Sequence, residues 1–120
     1  MIEVDIKKRI QMAELLDFYG NLLKDNQFKT INSYYSEDLS LTEIAKLLGI
    51  SKQGVWDNIK RSQEMLINFE NKLHLVEKYK QKQKNIILIK ENINNINLDN
   101  KQDSLDKIKN INNLVDEILE

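Results

Sequence analysis

Apolar residues recur along this chain at steps of three and four, the spacing of helices with one buried face. Ile2, Ile6, Ile10, Ala13, Leu16 and Gly20 form one such series, widened by Met12, Leu15, Phe18, Tyr19, Leu22 and Leu23. The series predicts a helix over residues 2–23 with a broad buried side from about Ile6 onward. A second helix is predicted to start at Asp25 or Asn26, to carry Phe28, Ile31, Tyr34 and Tyr35, and to stop at residues 36–38. The one β-branched apolar run, residues 86–89, sits inside a Lys/Asn-rich helical pattern, so the chain reads as all-α.

The most informative stretch is residues 38–66, DLSLTEIAKLLGISKQGVWDNIKRSQEML. Ser40 with Glu43 three residues later is a capping box, which satisfies the free N–H groups at a helix start. Leu41, Ile44, Ala45 and Leu48 then mark one apolar face, and Gly49 supplies the left-handed position that ends a helix. Ile50 is expected to plug the turn. Ser51 is expected to cap a second helix that carries Val55, Ile59, Ser62 and Leu66 inward. Ala45 leaves room for two helices to cross steeply, and this register of alanine, glycine and valine is that of a helix-turn-helix.

The second helix of the motif continues past Leu66 through Phe69, Leu73 and Val76, the interval of a helix–helix seam. A break is expected near residues 73–75. A last helix is expected to start at Asp99 with Gln102, or at Asn100 with Asp103, and to carry Leu105, Ile108, Val115 and Ile118. The expected organisation is a helical bundle over residues 1–75, with the helix-turn-helix at 40–66. A helical extension over residues 76–120 follows. Its apolar face has to be covered, by folding back as an antiparallel pair or by a second copy, and a homodimer is expected.

At 120 residues the chain is one domain's worth, with 41% apolar and 31% charged positions. It has no proline and no cysteine, which removes disulfides and thiolate chemistry. The opening MIEVDIKKRI is too charged for a signal peptide and no apolar run approaches a membrane span, so cytoplasmic residence is the default expectation. The formal net charge of −1 lacks the basic surplus usual in nucleic-acid binders. Residues 78–84 hold the basic cluster Lys78, Lys80, Lys82 and Lys84, but alternate positions fall on opposite sides of a helix and make no single stripe.

Catalytic chemistry has little to build with. His74 is the only histidine, the carboxylates are scattered at helix-surface spacing, and the glycines are isolated. The expectation is a non-enzymatic protein with no metal and no cofactor. The positions of the motif that face a DNA groove are Lys52, Gln53, Trp56, Asp57 and Lys60, with Arg61 alongside. Lys52, Gln53, Trp56, Lys60 and Arg61 are the candidate nucleic-acid or partner contacts. Within residues 38–66, Lys46, Lys52, Lys60 and Arg61 are balanced by Asp38, Glu43, Asp57 and Glu64. Duplex affinity comes largely from phosphate neutralisation, so a neutral motif binds DNA weakly. Three roles are open to Trp56: stacking on an unpaired base, anchoring a partner protein, or covering the N-terminal helices.

The run from residue 15 to residue 75 resembles the YlxM-like proteins, small bacterial proteins whose helix-turn-helix is similar to region 4 of sigma factors, without a wing. The resemblance is carried by DFY, the YY before an acidic turn, DLSLTEIA, the Gly-Ile-Ser turn and above all VWDNIKR at residues 55–61. Asp57 belongs to that last motif. The chain departs from the pattern at Phe28, where a basic residue is more usual, and in the Asn-rich stretch after Leu75. Family members are encoded beside signal recognition particle genes. The resemblance therefore implies a regulatory or accessory part in protein targeting, with the particle's RNA or protein as partner; DNA is the alternative, through sigma-like transcription control.

Overall fold

The computed structural model describes residues 2–120, with side chains from residue 6 onward. Six α-helices follow in order: α1 (Ile2–Tyr19), α2 (Asp25–Tyr35), α3 (Leu41–Leu48), α4 (Lys52–Leu73), α5 (Leu75–Asn94) and α6 (Lys101–Leu119), with a 3-10 turn at Gly20–Leu22. No strand occurs among the described residues. The chain divides into two compact units, Met1–Val76 and Glu77–Glu120.

The first unit is built around α4. Val55, Ile59, Ser62 and Leu66 are fully buried along one side of that helix, the four positions read inward from the sequence. Met12, Leu15, Leu16 and Tyr19 of α1, Ile31 and Tyr35 of α2, and Ile44 and Ala45 of α3 close over it. Ala45 is 9% exposed and Val55 wholly enclosed, as a close helix crossing requires. Gly20 lies so near Phe28 that an added Cβ would sit 2.9 Å from its ring, which brings the end of α1 against the start of α2.

The buried side of α1 is not the one the leading isoleucines suggest. Ile6 and Ile10 are 52% and 58% exposed, while Met12, Leu15, Leu16 and Tyr19 carry the contact. Nine residues at about 100° each put Ile10 half a turn from Tyr19, so one helix cannot bury both. Phe18 and Leu22 are also exposed, and the side chain of Ile2 lies outside the described residues.

The joint between α4 and α5 falls at His74, within the expected stretch. His74 adopts φ 56°, its N–H donates to the Glu70 carbonyl at 2.8 Å, and the helix ends. The next helix start is capped from a distance. The Tyr19 hydroxyl donates to Glu70 Oε1 at 2.5 Å and accepts the Leu75 N–H at 3.1 Å. Glu70 Oε1 also accepts the Val76 N–H at 3.0 Å. Tyr19 is 1% exposed, and burial first, then the hydrogen bond to the Glu70 carboxylate, raises its phenol above the ordinary 10.0.

In the second unit α5 and α6 run antiparallel through a loop at residues 95–100. Asn100 starts α6, its side chain accepting the Asp103 N–H at 3.0 Å. Asn85, 2% exposed, is the one buried residue of this unit; its amide donates to Glu117 Oε2 at 2.9 Å and to the Leu114 carbonyl at 3.5 Å. Ile86, Ile93, Leu105, Ile108 and Val115 remain about half exposed, because two helices alone cannot enclose a core.

Candidate nucleic-acid interface

The motif's local geometry follows from its capping residues. The Ser40 hydroxyl accepts the Glu43 N–H at 3.1 Å, and Glu43 Oε1 accepts the Ser40 N–H at 3.2 Å, so both halves of the capping box form. Gly49 takes φ 68°, and its N–H and that of Ile50 both turn back to the Ala45 carbonyl. The Ser51 hydroxyl accepts the Gly54 N–H at 3.0 Å and starts α4. Ile50 does not plug the turn. It is 44% exposed, and Leu47 and Leu48 beside it are also open, because α3 turns Ile44 and Ala45, with Leu41 partly buried, to the core.

With Val55, Ile59 and Ser62 turned inward, the other side of α4 presents a face about half a turn wide. Gln53 and Lys60 lie along its middle and are exposed. Asp57 and Arg61 lie on one flank, Lys52 and Trp56 on the other. Gln53 Nε2 donates to Asp57 Oδ1 at 3.0 Å, which holds that carboxylate in place one turn before Lys60 and Arg61. Asp57 is half-buried; Arg61 is exposed.

A concavity adjoins each flank. On the Arg61 side, a cleft of about 580 Å³ runs to the start of α2 and is lined by Lys24, Gln27, Asp57, Asn58 and Arg61 among others. On the Lys52 side, a hollow of about 350 Å³ is lined by Tyr34, Leu41, Lys52, Gln53 and Trp56. Trp56 is half-buried and meets the Tyr34 ring edge-on, centroids 6.3 Å apart and planes at 68°. Tyr34 in turn stands edge-on to Tyr35 at 4.8 Å, and the Arg9 guanidinium lies 5.8 Å from its centroid. Arg9 is held there by Asp38 at 2.7 Å and by the Tyr34 carbonyl at 3.2 Å.

Lys52 and Arg61, nine residues apart, stand on opposite sides of α4 with Gln53, Trp56 and Lys60 spread between them, so the five sequence-selected residues do not form one cluster. Lys52, Gln53 and Trp56 meet at the aromatic hollow, Arg61 belongs to the opposite cleft, and Lys60 stands between. Arg9 of α1, Tyr34 of α2 and Lys24 just before α2 join these surfaces and were not singled out by sequence. The YY pair was the available signal, yet at helical spacing it reads as core, and Tyr35 does serve there. Among the described residues no group of three His, Cys, Asp or Glu is placed to hold a metal ion, and no helix is long and apolar enough to cross a membrane.

The capped α3, the left-handed glycine turn and the long α4 crossing it define an all-α protein of the helix-turn-helix class. It belongs to the UPF0122 family, described as "Putative helix-turn-helix protein, YlxM / p13 like", which matches residues 6–113. This is a helix-turn-helix family and not a known enzyme family. The chain is 41% identical over 105 residues to a UPF0122 protein of Clostridium kluyveri, covering 88% of this chain and 95% of that one. It is 42% identical over 114 residues to a UPF0122 protein of Acetivibrio thermocellus, covering 94% and 97% of the two chains. A UPF0122 protein of Lactococcus lactis subsp. cremoris is 46% identical over 76 residues, 63% of this chain and 68% of that one.

Proposed function

We propose that this protein is a non-enzymatic, cytoplasmic accessory protein of the signal recognition particle pathway, binding the particle's RNA or one of its proteins through the outward face of α4. The observation that carries the binding mode is the charge of that face: Lys52, Lys60 and Arg61 are exposed, yet Asp57 stands among them, fixed by Gln53. A groove-reading helix gains affinity by neutralising phosphates on both sides, and a carboxylate on the contact face opposes this. A structured RNA or a protein surface makes fewer such demands. The pathway rests on the family resemblance through VWDNIKR.

The test is retention of purified particle RNA and of the particle GTPase on the immobilised protein at low salt. Retention of neither would sink the reading. The alternative, a DNA-binding regulator resembling region 4 of sigma factors, is favoured by the register of α3 and α4. It predicts duplex binding that falls steeply with salt and drops with Lys52→Ala or Arg61→Ala. Flat, weak binding to every promoter fragment would exclude it.

The same reading includes a homodimer. The half-exposed Ile86, Ile93, Leu105, Ile108 and Val115 of the α5–α6 hairpin would be enclosed by a second hairpin in a four-helix arrangement. Sedimentation equilibrium at micromolar concentration should give twice the chain mass. A monomer mass would refute it.

A further inference from the structure

Two concavities share the Tyr34 and Trp56 rings. One is the 350 Å³ hollow with Lys52 and Gln53 on its rim. The other is a small recess of about 60 Å³ lined by Lys8, Arg9 and Tyr35 together with the same ring pair. Three of the lining residues are cationic, and among the described residues no carboxylate lines either space. Of the acids beside them, Asp38 is engaged with Arg9 at 2.7 Å and Asp57 accepts from the rim residue Gln53 at 3.0 Å. This differs from the rest of the α4 face, where acids and bases alternate.

From this juxtaposition we infer that the Tyr34–Trp56 hollow is a pocket for one unpaired nucleobase of a single-stranded or bulged nucleic acid. Half-buried rings fixed by their neighbours, with cations around them, are what single strands bind to: a base lies against a π face and the adjoining phosphates meet the cations. At 350 Å³ the hollow falls within the roughly 300–1,000 Å³ range of small-ligand pockets, enough for a base and not for a duplex edge. The Gln53 amide on the rim gives one N–H to Asp57 and keeps its second N–H and its carbonyl oxygen for the base's pairing edge. A base pair inside a duplex cannot enter, because its faces are occupied by stacking.

The inference rests on the nucleic-acid reading above and names the part of the nucleic acid that is gripped. Trp56 is the chain's only tryptophan, so its fluorescence reports this site alone. The full-length protein is titrated with oligouridylate and oligothymidylate strands of about ten nucleotides and with a duplex of similar length. Binding is followed in parallel by anisotropy of end-labelled strands. Quenching of Trp56 by single strands but not by the duplex is the expected result; quenching by the RNA strand alone, or the DNA strand alone, also supports the pocket and identifies its sugar.

Lys52→Glu, an exposed change that leaves the rings in place, should weaken single-strand binding about tenfold. Tyr34→Ala should do the same or more, with Tyr34→Phe close to the parent protein. Strands that bind by anisotropy with no change in Trp56 emission, or with affinity indifferent to Lys52→Glu and Tyr34→Ala, overturn the pocket and leave nucleic-acid binding intact. Absence of binding to any strand or duplex overturns both.

Discussion

Tyr19→Phe removes one oxygen from the joint between α4 and α5, and its cost can be worked from the contacts. The hydroxyl donates to the Glu70 carboxylate at 2.5 Å and accepts the Leu75 N–H at 3.1 Å, in a side chain 1% exposed. A hydrogen bond to a charged group contributes about 1.5–3 kcal/mol, and one to a neutral amide about 1 kcal/mol. The ring packing on Phe69, centroids 5.9 Å apart, is kept by phenylalanine. A loss of about 2.5–4 kcal/mol is expected, which for a urea slope near 2 kcal/mol/M moves the unfolding midpoint down by about 1–2 M. The phenol adds a pH signature. Its folded pKa is raised above the 10.0 of the unfolded chain, first by burial and then by Glu70. The folded state therefore holds the proton more tightly. Its stabilisation is complete below pH 10 and is lost as pH climbs toward the raised value. The gap in stability between the parent protein and Tyr19→Phe should accordingly narrow above pH 10. A variant within about 0.5 kcal/mol of the parent at pH 7, or a gap that stays constant up to pH 11, would refute the reasoning.

Other expectations concern the motif and its support. Gly49→Ala should cost about 1–2 kcal/mol by urea unfolding, since nothing lies within 4 Å of the added methyl and the penalty is the φ of 68° alone. Ala45→Leu should cost about 1–3 kcal/mol by overpacking where α3 meets α4, seen as a lowered thermal midpoint. Gly20→Ala must displace the Phe28 ring and should cost a similar amount, with Gly20→Ala/Phe28→Leu partly restoring the midpoint.

Local chemistry was legible from the sequence, and distant chemistry was not. Ser40, Glu43, Gly49 and Ser51 act on backbone within a few residues of themselves, so their spacing alone specifies the caps and the turn. Val55, Ile59, Ser62 and Leu66 were readable because α4 sits at the centre of its unit and has one inward side. On α1 the same periodicity misled: Ile6 and Ile10 form a regular series, but which side of a helix is covered depends on where the other helices lie. The cross-chain pairs were invisible for the same reason. Tyr34 meets Trp56 from 22 positions away and Glu70 reaches back 51 to Tyr19, and no spacing rule links such residues.

The buried Asn85 amide has a consequence for alignment. An all-leucine hairpin tolerates sliding by a helical turn, because one methyl contact is much like the next. Here a slide of about 5.4 Å would carry the amide away from Glu117 and the Leu114 carbonyl and strand it among isoleucine side chains. The penalty falls on every misaligned arrangement and spares the native one, so a single polar residue acts as a vernier mark between two otherwise slippery rods.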